Sequence, residues 1–403
     1  MLRRLPRLVT RDTAPTAAMM RRLSVATAEA ANKHVPWGAL GSGTYTAATK
    51  GCFDVINNTQ PLVQAALERA LDARSLNKTA NVTPFAIADF GTADAGTSLP
   101  LMCNIVRAVR EAEPRAPIVV HYEDQALNDW QSVFQLTSGA LPGGPKTFMD
   151  GSVDNVFVLA SGASFYEQCF APGSIDLGYC ATAMHWLTDV PCRIPDALHS
   201  ACSNDATTRA AFAEQAATNW EHILLKRAAE LKAGGQFVVA NFAIDDAGQF
   251  LGHSERVASS MHHNFAKLWR EVAGDEVAAA TTFCNEYRSL AACEAAFAPG
   301  TAVSKAGLVL HSSETQLVEC PFHGEWMSGA VTDPRQQAKN FVPTTRTWSN
   351  STFVSGALAC GHSAADAAAL ADTMFARYEA LVAEAPQDHA MDYVHSYLHV
   401  GKQ

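Results

Sequence analysis

Short apolar runs alternate along this chain with stretches whose apolar residues recur at helical spacing. Pro84-Phe-Ala-Ile-Ala-Asp89 is a short apolar run ending in an acid and a glycine-containing turn, the pattern of a buried parallel strand and its loop. Pro117–Tyr122, Val156–Ala160, Ile175–Ala181 and Gly234–Asn241 repeat it. Between these runs, helices are predicted over 52–74, 98–112, 128–136 and 209–232. The first carries Val55, Ile56, Leu62, Val63, Ala66 and Leu67 near one face, and the second opens on Ser98 and Pro100. Strands alternating with helices predict right-handed βαβ units and a parallel sheet. Residues 251–300 break the rhythm: they read as mostly helical, with Phe265, Leu268, Trp269 and Val272 on one face. Strand-like runs return at Gly307–His311, Gln316–Cys320 and Asp392–Val400, the last preceded by a helix at Ala364–Ala383. The expected organisation is a tail (1–30), a closing segment with an α/β core (31–250), a helical insertion (251–305) and the strands that complete the sheet (306–403). The insertion and the closing segment would cover the sheet's C-terminal edge, where open α/β sheets bind ligands.

Composition narrows the partners. Of 403 residues, 48% are hydrophobic and 17% charged, which excludes a disordered chain. A net charge of -10 disfavours a phosphate backbone, so nucleic acid is not expected. No run of about 18 apolar residues predicts a membrane helix. Ten cysteines without a CxxC pair read as reduced thiols packed as small hydrophobes. Cys320-x-x-His323 lacks a second pair, and His395 and His399 lack the glutamate of an HExxH motif, so no metal is expected. Arg3, Arg4, Arg7, Arg11, Arg21 and Arg22 face one early acid, Asp12, among Ser, Thr and Ala. That composition marks a mitochondrial or plastid transit peptide; the bland alternative is a basic tail on a cytoplasmic protein.

Three motifs carry ligand chemistry. In Ala88-Asp89-Phe-Gly91-Thr-Ala-Asp94-Ala-Gly96-Thr97-Ser98, Gly91 permits a tight turn beneath a ligand and the following helix supplies amide donors. The motif is neither GxGxxG nor a Walker loop, and Asp89 suits a cationic ligand better than a pyrophosphate. Asp124, at the end of the second strand, can accept both hydroxyls of a ribose; its alternative is a cap for the helix starting near Asn128. Leu231-Lys-Ala-Gly-Gly-Gln-Phe-Val-Val places a helix, a Gly-Gly turn and a strand in the order found in class I S-adenosylmethionine methyltransferases.

Two further segments carry a family resemblance. Val158-Leu-Ala-Ser-Gly-Ala-Ser164-Phe165-Tyr-Glu-Gln-Cys-Phe-Ala-Pro172 and Cys180-Ala-Thr182-Ala-Met-His185-Trp186-Leu-Thr-Asp-Val-Pro191 are similar to the SGSFYxxLFP and SSYSLHWLSxxP segments of the SABATH methyltransferases. Gly43–Thr49, Ala88–Ser98 and Glu123–Trp130 resemble that family's SYxxNS, IADLGCSSGxN and NDLPxNDFN motifs in the same order. The likeness runs from about 38 to 245 and fades after 250.

The resemblance implies a homodimer with a class I methyltransferase fold: a Rossmann-like, mostly parallel sheet with an antiparallel last strand and an α-helical cap. It implies S-adenosyl-L-methionine as cofactor, bound by Tyr45, Thr49, Asp89, Gly91, Thr97, Asp124, Gln125, Ser164 and Phe165. His185 and Trp186 become the catalytic candidates, the first orienting the acceptor and the second walling it. On the acceptor side the family's lysine, glutamine and tyrosine fall at Trp37, Cys52 and Thr182, while Trp186 is retained. Plain packing stays open for His185, Trp186 and above all Cys52. The implied activity is methylation of a small molecule, most directly the carboxylate of an acid; N- or S-methylation is the runner-up. A non-catalytic binder of S-adenosylmethionine is the reading from another class, and the missing GxGxxG weighs against a nicotinamide dehydrogenase.

Overall fold

The computed structural model describes residues 36–141 and 144–403. The basic segment 1–30 read above as a transit peptide lies outside the described residues. Seven strands form one sheet: β1 (Phe85–Phe90), β2 (Ile118–Glu123), β3 (Val156–Ser161), β4 (Ile175–Ala181), β5 (Leu231–Phe242), β6 (Leu308–Val318) and β7 (Tyr393–Lys402), in the order β3-β2-β1-β4-β5-β7-β6. The first five run parallel, and β7 is antiparallel to both β5 and β6. Every residue of β1 is buried, as its unbroken apolar run requires of a strand covered on both faces. This is the expected α/β, class I methyltransferase architecture.

Helices α1 (Thr44–Ala48), α2 (Lys50–Asn58) and α3 (Gln60–Leu76) precede β1. The stretch 52–74 read as one helix is thus two, with Pro61 at the start of the second, a position where its missing N–H costs nothing. Then come α4 (Leu99–Ala112), α5 (Trp130–Thr137), α6 (Ala206–Glu230), α7 (Met261–Ala280), α8 (Leu290–Ala295), α9 (Ala302–Lys305), α10 (Pro321–Met327), α11 (Pro334–Ala359) and α12 (Ala364–Glu384). The residue that caps α5 is Asp129, which accepts the Ser132 amide, so the capping alternative for Asp124 falls away.

Two departures have local causes. The apolar runs at 307–311 and 316–320 belong to one strand, β6; its polar middle faces outward at a sheet edge, and the register shifts between Leu310 and Ser312. Helix α11, 26 residues long, lies in a segment where the apolar pattern indicated no element. It contains Pro343, Thr344, Thr345 and Thr347, residues poorly suited to helices. Their hydroxyls turn back onto the helix: Thr345 donates to the Val342 carbonyl at 2.8 Å and Thr347 to that of Pro343 at 2.7 Å. Helices α7, α11 and α12 pack through Phe265, Trp269, Phe353 and Phe375, with edge-to-face rings 5.1–6.2 Å apart.

Candidate active site

The C-terminal ends of β1, β2 and β4 meet at one edge of the sheet, and the loops leaving them build the site. Gly91 has φ 68°, and a Cβ there would stand 2.3 Å from the Ala183 Cβ, so only glycine fits between the β1 and β4 loops. Ala93 (φ 50°) and Ala95 (φ 66°) are also left-handed, a costly conformation for a residue with a side chain. Donors and acceptors from the next strand hold that loop. The amides of Gly91 and Thr92 donate to the Glu123 carbonyl at 2.9 and 3.0 Å. Ala93 N donates to Asp124 Oδ2 at 2.8 Å, and Asn128 Nδ2 to the Ala93 carbonyl at 2.6 Å.

The two acids singled out in the sequence stand on either side of this loop. Asp89 is buried; its Oδ2 accepts Ser98 Oγ at 2.6 Å and Thr92 Oγ1 at 3.0 Å. Asp124 Oδ1 accepts its neighbour's amide, Gln125 N, at 2.7 Å. Burial pushes both carboxyls up to about 6, against the pull of those hydrogen bonds. A positively charged or hydroxyl-bearing ligand would offset that cost. Thr97 is buried where the loop enters α4.

The segment before α2 is fastened over the same loop. Gly41 N donates to both oxygens of Asp129 at 3.0 Å, and Gly43 N to Ser132 Oγ at 3.0 Å. Asp94 accepts Thr46 N at 2.9 Å, Thr46 Oγ1 at 2.6 Å and Gly96 N at 3.2 Å. Asp94 therefore ties the N-terminal segment to the glycine-bearing loop.

Tyr45 lines two cavities. The first lies against Trp37, Leu40, Asp94 and Asn128. The second gathers Thr49, Cys52, Thr182, His185 and Trp186 with four residues that the sequence reading missed: Phe242, Trp348, Met391 and Tyr393. Trp37 is thus not in the cavity of the other acceptor-side candidates. The Arg346 guanidinium stacks over its ring at 4.1 Å, and its amide donates to the Thr347 carbonyl at 2.9 Å. Ser164 and Phe165 sit on the loop after β3 and line neither cavity. Phe165 is half-buried against Tyr166 at 4.8 Å, and its carbonyl accepts Arg227 Nη1 at 2.8 Å.

His185 is buried, its ring 4.7 Å from Phe242 and 5.5 Å from Trp186. The backbone of 185–187 is gripped by the segment before α8: Glu286 N donates to the His185 carbonyl at 3.0 Å, and Leu187 N to that of Cys284 at 2.8 Å. Burial pushes the Cys52 thiol up to about 12, so it stays protonated and is not a nucleophile. Among the described residues no cluster of three or more His, Cys, Asp or Glu could hold a metal ion. His323, of the Cys320-x-x-His323 pair, instead bonds the Gln387 carbonyl at 3.0 Å. No helix among the described residues is long and apolar enough to cross a membrane.

Of the missed residues, Tyr393 lies in the C-terminal run that does read as a strand. Trp348 had no such signal, because α11 has none.

Known proteins are similar to this chain. The chain is 26% identical over 214 residues to loganic acid O-methyltransferase of Catharanthus roseus, covering 49% of this chain and 54% of that one. It is 27% identical to indole-3-acetate O-methyltransferase 1 of Arabidopsis thaliana over 46% of this chain and 54% of that protein. It thus spans about half the length of the curated relatives it matches. A solved loganic acid methyltransferase with SAH superposes with a TM-score of 0.68 at 18% identity, covering 92% of this chain and 99% of that one, which shows the common fold. Residues 38–278 match the model of the SAM dependent carboxyl methyltransferases, and the chain belongs to that family.

Proposed function

We propose that the protein is an S-adenosylmethionine-dependent methyltransferase that O-methylates the carboxylate of a small acid. The observation that carries this reading is Tyr45, which lines both cavities: one borders the Asp94 loop, the other is walled by His185 and Trp186. The residues present fit the cofactor. The buried Asp89 and half-buried Asp124 carboxyls suit a cationic amino acid moiety and a ribose, and Phe165 offers an aromatic face. Asp89, Gly91, Thr97, Asp124, Gln125, Ser164 and Phe165 would hold it, with Tyr45 and Thr49 closing the segment over it. When bound, S-adenosylmethionine supplies an electrophilic methyl on sulfur; its products are S-adenosylhomocysteine and a methyl ester.

The chain's own contribution is orientation. A carboxylate is ionised at neutral pH and needs no base, so placing it in line at contact distance supplies most of the acceleration. Trp186 walls the acceptor, His185 orients it, and the aromatic lining excludes water. Titration calorimetry with S-adenosylmethionine and with NAD tests the cofactor: no binding of the former would sink the proposal. A labelled-methyl screen over acids, amines and thioethers then tests the acceptor. Methylation of acids supports the reading, methylation of amines or thioethers alone overturns its carboxylate part, and binding without any transfer marks a silent binder. A homodimer and organelle import complete the proposal on sequence grounds; light scattering and the N-terminus of the mature protein test them.

A further inference from the structure

Among the described residues no lysine or arginine lines the acceptor cavity, and Cys52 stands there at the position of the family's acceptor-side glutamine. Something else must hold an acid there. Two polar groups in the cavity wall, on half-buried side chains, have unspent hydrogen-bonding capacity.

The first is Thr182, at the end of β4. It has φ 62°, in the left-handed region that a β-branched residue rarely enters. Its amide donates to the Ala240 carbonyl at 2.7 Å, which fixes the turn and keeps the side chain in the cavity wall. Its Oγ1 lies 3.1 Å from Nε2 of His395, a fully buried side chain on β7. Burial pushes the pKa of His395 down to about 3, so the ring is neutral and carries one N–H. Its Nδ1 has no partner among the described residues. A proton on Nδ1 would leave a buried N–H unpaired, which is more costly than an unpaired lone pair. The favoured tautomer therefore carries its proton on Nε2 and donates it to Thr182. That leaves the Thr182 hydroxyl hydrogen free to donate elsewhere.

The second is Trp348, on α11. It lines the same cavity, and its Nε1 is buried without a partner among the described residues. Other tryptophans in the fold are satisfied: Trp220 Nε1 donates to the Cys293 carbonyl at 3.1 Å and Trp269 Nε1 to Thr281 Oγ1 at 2.8 Å. An indole N–H can only donate, so a buried one without an acceptor is a standing cost that a ligand oxygen would remove.

We propose that the Thr182 hydroxyl and the Trp348 indole N–H are the two donors that hold the acceptor's carboxylate, with His395 as the positioning residue that orients Thr182. The proposal rests on the carboxylate reading above and adds its recognition. Two neutral donors fix a carboxylate without neutralising its charge, so the oxygens stay nucleophilic where an arginine would damp them.

The test uses the full chain and labelled-methyl transfer to loganic acid, indole-3-acetate, jasmonate and benzoate. For whichever acid is methylated, Trp348→Phe and Thr182→Val should each raise KM roughly tenfold or more. Their kcat should fall far less, and their affinity for S-adenosylhomocysteine should be unchanged. Thr182→Ser, which keeps the hydroxyl, should restore KM. His395→Phe should raise KM in the parent and do nothing further in Thr182→Val. An acid methylated with KM within twofold in both Trp348→Phe and Thr182→Val overturns the assignment while leaving the carboxylate reading intact. No transfer to any of these acids, with transfer to amines or thioethers, overturns both. Loss of melting temperature without a KM change would mark the two residues as structural only.

Discussion

Replacing Asp94 by alanine should open the N-terminal segment without unfolding the sheet. The carboxylate takes three hydrogen bonds, two of them from Thr46 on α1 and one from Gly96 in its own loop. Bonds to a charged acceptor contribute about 1.5–3 kcal/mol each. Burial opposes part of that: it holds the Asp94 carboxyl above its ordinary value in spite of all three bonds. Removing the side chain relieves that desolvation but strands the half-buried amide and hydroxyl of Thr46. The net cost should be about 2 kcal/mol, roughly thirtyfold in the opening equilibrium of the segment. Hydrogen exchange read by mass spectrometry over 44–48 should therefore speed up by that factor, while β1, β4 and β5 keep their protection. If the segment closes over the ligand, the affinity for S-adenosylhomocysteine falls by a similar factor. Unchanged exchange at 44–48 would refute the latch. Faster exchange with unchanged affinity would keep the latch and refute its role in binding.

Asp124→Ala should weaken S-adenosylmethionine binding at least tenfold by calorimetry, since it removes the proposed ribose acid and frees the Ala93 amide; unchanged affinity would put the acid of β2 out of the site. Glu123→Gln should stabilise the protein at neutral pH. Glu123 is fully buried, and burial holds its carboxyl well above the ordinary value, so the folded state keeps a proton that the unfolded state loses. The sign follows: little difference below about pH 4.5, and a gain of about 1–3 kcal/mol for the variant near pH 7, read as urea midpoints across pH; a variant less stable at pH 7 refutes it. Gly51→Ala should raise the acceptor KM while leaving cofactor affinity alone, because a Cβ at 51 would meet the Tyr393 ring at 2.2 Å and push that wall into the cavity. Equal KM values would mean that the ring moves outward.

What could be read from the sequence divides along the same line as the site. The strands β1, β2, β4 and β5 are continuous apolar runs, and their trailing acids and glycines follow directly, so Asp89, Gly91 and Asp124 fall where the pattern puts them. The acceptor wall is different. Trp348 lies on a helix that threonines and a proline disguised, and Phe242 looks like any core residue at a strand end. The bond from Asp94 to Thr46 joins positions 48 apart and leaves no local trace. Trp37 shows the opposite failure: its place in an aligned motif suggested acceptor contact, and the Arg346 stack, available only in three dimensions, takes its ring.

Backbone strain argues in the same direction. Among the described residues, six other than glycine have positive φ: Lys78, Asn81, Ala93, Ala95, Asn155 and Thr182. Asn tolerates the left-handed region, and Asn81 and Asn155 sit in the turns leading into β1 and β3 at the other end of the sheet. Alanine and threonine gain nothing there, yet Ala93, Ala95 and Thr182 all follow strands at the ligand edge. Such residues persist only where their surroundings over-determine them. Asp124 and Asn128 hold Ala93, and Ala240 and His395 hold Thr182. The core thus supports unfavourable backbone at the loops nearest the proposed chemistry. On the proposed acceptor side Cys52, Trp348 and Tyr393 come from α2, α11 and β7, so those side chains can change without disturbing the strained Ala93–Ala95 loop; Thr182, on the loop after β4, is the one acceptor position that is itself strained. That separation gives a physical reason why the cofactor motifs of this chain follow its family while the acceptor positions depart from it.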